Sequence, residues 1–277
     1  MTTTISPEDF AFLRDLVMKE AAIVLEPGKE YLATSRLDPV ARKEGLEGIP
    51  GLVRALRAPS PTATKLREAV IDAMTTNETL WFRDAHPFET LQSTLIPELM
   101  SARANTRAID IWCAAASTGQ EPYTIAMIIK DAFPQLNNWR IRILGTDISP
   151  SALEKAHEGK YSQMEMGRGL PAKYMVNYFT RQGVNYQINP NIRAMVDFKL
   201  FNLAGNWPPM GPFDLIFIRN VLIYFNQETK NQIINKAEKL LRPDGKLFLG
   251  STESLLNISH KLERETYGKT TCYRPKA

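Results

Sequence analysis

From about residue 107 the chain alternates short apolar runs with longer stretches of helical periodicity. Ala108–Cys113 reads as a strand, Glu121–Phe133 as a helix, Ile141–Thr146 as a strand and Ser149–Gly159 as a helix. Phe213–Ile218 (strand), Thr229–Leu241 (helix) and Lys246–Gly250 (strand) repeat the pattern, and Thr270–Arg274 supplies a last strand. Near-continuous apolar strands joined by helices must be covered on both faces, which restricts the solution to a parallel sheet between helix layers. The fold class is therefore α/β, doubly wound and Rossmann-like, with ligands expected beyond the carboxyl ends of the strands. The alternation breaks near 183–199. There Asn189-Pro190-Asn191 between two strand-like runs predicts a small antiparallel β insert, at about 180–200.

The first 75 residues read differently. Ser6-Pro7-Glu8-Asp9 is a helix start, with Ser6 as cap, Pro7 in the first turn and acids at the positive helix end. Phe10, Leu13, Leu16 and Val17 follow at helical spacing. Further helices are expected near 29–45 (irregular at Pro39), 49–57 and 62–74. This predicts a helical domain over 1–75, a linker over 76–85 and the α/β domain over 86–277.

Composition excludes several classes. Hydrophobic residues make up 44% and charged residues 23% of the 277, which is globular and leaves ample core without disulfide or metal staples. The two cysteines, Cys113 and Cys272, have no metal-ligand or redox spacing and suit a reducing, cytoplasmic setting. Met1–Ile5 lacks a signal-peptide pattern, and no apolar run reaches the roughly 18 residues of a membrane span. The net charge of +4 is spread thinly: residues 1–75 hold 10 basic and 11 acidic side chains, and no basic stripe marks a nucleic-acid or lipid surface.

Functional residues in such a sheet should follow the strands. After the first strand, Ala114-Ala-Ala-Ser-Thr-Gly119-Gln-Glu121 offers small residues and a helix start, suited either to a ligand or to packing. Asp147 ends the second strand, where an acid accepts ribose hydroxyls or caps the next helix. Arg219-Asn220 ends the strand at 213–218, and an arginine there is costly to bury without partners. Gly250-Ser-Thr-Glu253 reads as mostly structural. Thr76-Asn77-Glu78-Thr79 with Phe82-Arg83 suits either a hinge reaching into a cleft or simple capping.

These segments occur in one order, together with Ser117-Thr-Gly-Gln-Glu-Pro-Tyr123, Gly145-Thr-Asp-Ile148, Gly169-Leu-Pro171, Phe213 to Phe225 and Leu247 to Glu253. The chain thereby resembles the chemotaxis receptor methyltransferase family (CheR type), S-adenosylmethionine-dependent protein-glutamate O-methyltransferases, over nearly its whole length. The resemblance implies that Asn77, Thr79 and Arg83 contact the cofactor from the linker. It implies that Glu121 and Asp147 hold its amino-acid and ribose portions, that Asn202-Leu203 flank the adenine, and that Arg219-Asn220 complete the site. Arg83 and Tyr224 would border the transferred methyl, and Arg36 would face the receptor. S-adenosylhomocysteine would be the product, no metal is expected, and the partner would be the cytoplasmic helices of a chemoreceptor, met by a monomer without membrane insertion. Two departures matter. The second helix (Leu37 to Lys43) is less basic than is usual in the family. The turn at Asn189-Pro190-Asn191 is shorter than the glycine-bearing turn of members that grip a receptor's C-terminal pentapeptide, so no such tether is expected.

A glutamate nucleophile is already ionised near pH 7, its ordinary pKa being about 4.3. The reaction then needs alignment and water exclusion and no general base, in keeping with the scattered His86, His157 and His260. Three rival readings compete with this one. Asn206-Trp-Pro-Pro-Met210 superficially suggests an adenine methyltransferase motif but has the wrong order and precedes its strand. A small-molecule methyltransferase shares the fold, and a non-enzymatic binding module would tolerate lost motif positions.

Overall fold

The computed structural model describes residues 5–276, so all but the last residue of the Met1–Ile5 reading lies outside them. The chain divides into two compact units, Met1–Thr76 with Tyr224–Thr229, and Asn77–Ile223 with Lys230–Ala277.

Among the described residues before Asn77, the first unit has four helices, α1 (Pro7–Ala21), α2 (Glu30–Lys43), α3 (Gly48–Arg57) and α4 (Pro61–Met74). Ser6 and Ser60 cap α1 and α4 through their side chains, each ahead of a proline in the first turn. Leu13, Val17, Leu37, Ile49, Leu52 and Val70 fill the core at helical spacing. The helix expected near 29–45 is α2, which continues through Pro39. The bond that proline forfeits leaves the Ser35 carbonyl unpaired within the helix. The Arg36 guanidinium closes the far end of α4, donating to the carbonyls of Met74 (2.6 Å) and Thr75 (2.9 Å) and to Thr76 Oγ1 (2.9 Å).

The second unit opens with α5 (His86–Thr90), a π-helical turn (Leu91–Leu95) and α6 (Ile96–Ala102), and continues as α/β. Its strands are β1 (Ala108–Ala114), β2 (Arg140–Asp147), β3 (Lys160–Ser162), β4 (Phe179–Gln182), β5 (Asn185–Ile188), β6 (Val196–Leu200), β7 (Phe213–Ile218), β8 (Leu241–Leu249), β9 (Leu262–Tyr267) and β10 (Thr270–Pro275). The main sheet has the order β6-β2-β1-β7-β8-β10-β9. Pairing is parallel from β6 through β8, while β10 is antiparallel to both its neighbours. Helices α7 (Gln120–Ala132), α8 (Pro150–Glu158) and α12 (Gln227–Leu240) provide crossovers. The order reverses between β1 and β7, and the crevice beyond their carboxyl ends is where a doubly wound sheet takes its ligand.

Register explains the two cysteines. Cys113, Phe217, Phe248 and Cys272 lie side by side on four adjacent strands, with the two phenyl rings stacked 4.6 Å apart. Both thiols are fully buried, and burial pushes both up, that of Cys272 to about 12. They are small core residues of one row.

The opposite, amino end of the strands holds a charge network. Asp214, whose side chain is fully buried, accepts from Arg103 Nε (2.8 Å) and from the Asp110 backbone N–H (2.7 Å), with Arg242 Nε at 3.2 Å. Asp110 takes both terminal nitrogens of Arg140 (2.7 and 2.8 Å), and Asp244 takes those of Arg103 (2.9 and 2.6 Å).

The small antiparallel sheet exists, but in another register than expected. Its order is β3-β5-β4, and the hairpin turns at Gly183-Val184 between the paired residues Gln182 and Asn185. Gly183 at φ 63° supplies the positive φ that a two-residue hairpin turn demands. The expected turn at Asn189-Pro190-Asn191 is instead the start of α11 (Pro190–Arg193), because proline suits a first helical turn. The run at 196–200 therefore leaves the insert and pairs in parallel with β2 at the edge of the main sheet. Two short helices, α9 (Gln163–Met166) and α10 (Ala172–Tyr178), complete the region.

Gly169 lies between those helices and has φ 94°. A Cβ there would collide with the Trp81 carbonyl. Trp81 is buried edge-on to Tyr161 (4.9 Å) and Phe179 (5.4 Å), and its backbone N–H donates to the Arg168 carbonyl. Gly169→Ala is accordingly expected to destabilise this unit by about 2–4 kcal/mol, through both strain and the clash, as read by urea unfolding.

Candidate active site

The loop after β1 is shaped by left-handed residues. Ala115 (φ 55°), Ser117 (φ 51°) and Gly119 (φ 93°) alternate with ordinary ones before α7 begins. Two of them carry a Cβ, so the turn stores strain on the order of 1–3 kcal/mol at each. Alternating conformations of this kind turn successive backbone N–H groups toward a common point. Small side chains are needed here because the loop packs closely on β2: the Ala116 N–H donates to the Thr146 carbonyl at 2.9 Å.

Asp147 ends β2 and is 6% exposed. Its Oδ2 accepts the Ser117 N–H (2.8 Å) and its Oδ1 accepts the Ser149 N–H (2.9 Å). Ser149 in turn caps α8 through its hydroxyl, which receives Asn77 Nδ2 at 3.1 Å. The ring closes where Ser117 Oγ donates to the Asn77 carbonyl at 2.8 Å. Ser149, and not Asp147, caps α8, while Asp147 locks the two strand-end loops together. Asn77 is built into the same ring, so the start of the linker is fixed to the loop after β1.

The end of β7 carries a second cluster. The Arg219 side chain is only 2% exposed. Its Nη1 donates to Glu121 Oε2 (2.6 Å), and its Nη2 donates to Asp84 Oδ2 (2.8 Å) and the Arg83 carbonyl (2.9 Å). Phe88 places its ring 5.5 Å from the guanidinium. Burial pushes the Glu121 carboxyl above its ordinary range, against the opposing pull of Arg219. Asn220 follows in a left-handed conformation (φ 56°). It is held there by Glu253, whose carboxylate accepts the backbone N–H groups of Asn220 (2.7 Å), Leu222 (2.8 Å) and Gly250 (2.7 Å). Gly250 is required because a Cβ would strike Asn220 and Glu253.

The structure therefore joins Asn77 to Asp147, and Arg219 to Glu121 and the Arg83 backbone. Thr79 lies between Asn77 and Arg83 on the linker, half-buried. The Arg83 guanidinium rests on the Glu78 carbonyl by a long 3.3 Å bond. Asn202 and Leu203 follow β6, whose last residue pairs with Asp147. Asn202 Oδ1 accepts the Ala204 N–H (2.9 Å), and Leu203 is buried. Tyr224 and Arg36 belong to the helical unit. The Tyr224 carbonyl receives the Val24 N–H (3.1 Å). The sequence marked Ser149 as a cap, Ser117 only as part of its motif and Gly250–Glu253 as mostly structural, and it carried no sign of Asp84. For Glu253, its polar strand-end position was the signal available. Glu253→Gln is expected to weaken cofactor binding about tenfold, since one end of an amide donates and cannot accept these N–H groups, as read by calorimetry with S-adenosylhomocysteine.

Residues 77–271 match the family model described as the CheR methyltransferase SAM binding domain, and residues 8–75 match the CheR methyltransferase all-alpha domain. The chain belongs to the CheR methyltransferase family. It is 40% identical over 273 residues to chemotaxis protein methyltransferase 1 of Pseudomonas aeruginosa, covering 97% of this chain and 98% of that one. It is also 40% identical over 263 residues to the chemotaxis protein methyltransferase of Vibrio parahaemolyticus, covering 94% of each. As a CheR-family chain it is an S-adenosylmethionine-dependent methyltransferase, with a helical domain ahead of a mixed-sheet methyltransferase fold.

The CheR-family site fits that cofactor chemically. S-adenosylmethionine brings hydroxyl and ammonium donors, a carboxylate and a sulfonium cation. Strand-end acceptors (Asp147 and Glu121) suit the donors. Arg219 Nε, buried and without a hydrogen-bond partner among the described residues, suits an anion.

Proposed function

We propose that this enzyme methylates glutamate side chains on the cytoplasmic helices of chemoreceptors, forming glutamyl methyl esters for chemotactic adaptation. The observation that carries the reading is the pair of strand-end clusters at the switch point, Asn77–Ser117–Asp147–Ser149 and Glu121–Arg219–Asp84, supported by the relatives' names. When bound, the cofactor supplies an electrophilic methyl group. Asn77, Thr79, Glu121, Asp147, Asn202, Leu203, Arg219 and Asn220 bind and orient it in this reading. Arg83 and Tyr224 orient the incoming carboxylate, which needs no deprotonation near pH 7. The histidines leave that role vacant. The ring of His86 meets Thr270 Oγ1, His260 Nδ1 accepts the Leu262 N–H, and His157 lies against Phe198.

Arg36 is proposed to face the receptor, and the enzyme to act as a cytoplasmic monomer without a metal ion. Among the described residues no helix is long and apolar enough to cross a membrane, and no group of His, Cys, Asp or Glu is disposed to hold a metal ion. The experiment is transfer of labelled methyl to receptor-containing membranes, followed by mild base. Label released as methanol establishes a carboxyl ester, whereas base-stable label refutes it.

The hairpin turn at Gly183-Val184 has two residues, shorter than the glycine-bearing turn of family members that grip a receptor pentapeptide. The enzyme is therefore proposed to act without a C-terminal receptor pentapeptide. The expected result is no binding of such a peptide to the isolated enzyme by calorimetry. Micromolar affinity would overturn it.

A further inference from the structure

The linker turn Phe82–Ala85 is strained, and one side chain that the reaction above leaves unused ties it down. Phe82 (φ 48°), Asp84 (φ 69°) and Ala85 (φ 48°) all have positive φ, and none is glycine. Such backbone persists only where its surroundings over-determine it. Here the constraint is the Arg219 Nη2 group. One of its hydrogens goes to Asp84 Oδ2 (2.8 Å) and the other to the Arg83 carbonyl (2.9 Å). The same nitrogen thus grips one residue by its side chain and the preceding one by its backbone, across the peptide bond that joins them.

Glu121 already neutralises Arg219 from the other terminal nitrogen, at 2.6 Å. Asp84 is a second anion on the same guanidinium. Its side chain is 25% exposed, whereas that of Arg219 is 2% exposed. Burying a charge calls for one partner. The second is directed at the linker. Removing the Asp84 charge would leave Arg219 paired with Glu121 and the core intact, but would weaken the hold on the Arg83–Asp84 peptide to the single bond to the Arg83 carbonyl.

We propose that Asp84 is a positioning residue for methyl transfer: by holding the Arg219 fork it fixes the backbone from which the Arg83 side chain departs. This rests on the reading of Arg83 as a group that orients the reacting carboxylate. The test compares Asp84→Asn, which keeps the shape and removes the charge, with Asp84→Glu. Turnover should fall about tenfold in Asp84→Asn while affinity for S-adenosylhomocysteine stays within about threefold, and Asp84→Glu should recover part of the loss. In an Arg83→Ala background Asp84→Asn should cost nothing more, because the two act as one unit. Affinity falling in step with turnover, or an additive loss in the double variant, overturns the proposal. Amide hydrogen exchange separates the inference from its premise. Arg83–His86 amides should exchange faster in Asp84→Asn than in wild type, with β7 unchanged. Unaltered exchange refutes the tie itself. Faster exchange with full turnover in Arg83→Ala would refute the premise, and with it the catalytic purpose, but leave the tie standing.

Discussion

Arg83→Ala is expected to lower methyl transfer about 100-fold, the scale of losing a charged group aimed at the reacting atoms. Stability should be unaffected. The guanidinium makes one long bond to the Glu78 carbonyl, and the Arg219 bond to residue 83 runs to its backbone, which alanine keeps. Tyr224→Phe should lose less, about tenfold, because a neutral hydroxyl is a weaker partner for a carboxylate. Steady-state kinetics with saturating cofactor would read both. Wild-type turnover in Arg83→Ala would remove that residue from the reaction.

The largest effect on stability should come from Asp214→Ala. The change removes a fully buried carboxylate and strands parts of two guanidinium groups, Arg103 and Arg242, together with the Asp110 N–H. Breaking a buried pair on one side costs about 3–5 kcal/mol, measurable by urea unfolding. The same network sets the acid limit. Burial pushes the Asp110 carboxyl up, but Arg140, with Arg242 and Arg142 beside it, more than offsets this and holds it below its ordinary value. The Arg103 hydrogen bond does the same for Asp244. A carboxyl with a lower pKa folded than unfolded stabilises the fold above the unfolded value and loses that contribution as pH falls through the folded one. Stability should therefore decline below the ordinary aspartate range, about pH 4, and Asp110→Asn should flatten that decline. A wild-type profile flat from neutral pH to pH 3 would contradict it.

Much of this was legible because local and global signals agree. The strands at 108–113, 141–146 and 213–218 are apolar throughout, and a run of that kind has no other stable home than a covered sheet. The helix starts at Ser6-Pro7 and Ser149-Pro150 carry their own caps. Failures came where one residue type serves two geometries. Asn189-Pro190 is as good a helix start as a turn, and only the pairing of β6 with β2 decides between them. The charged strand β9, with Glu263, Arg264 and Glu265 on an exposed edge, lacks the apolar run by which buried strands are recognised. At the site, Arg219 was legible as a group needing partners, but Asp84 was not. It is adjacent to Arg83 in sequence, and its pairing across 135 residues is a product of the fold.

The row formed by Cys113, Phe217, Phe248 and Cys272 has a practical consequence. Three strand spacings separate the two sulfurs, roughly 14 Å, well beyond disulfide reach. Both are sealed in the core, and the chain has no others. The native protein is thus chemically silent toward maleimides while folded. A cysteine introduced at Met164, 79% exposed, or at Val184, 80% exposed, would be the one labelled position, so a fluorophore could report on the small sheet without first stripping the natural thiols.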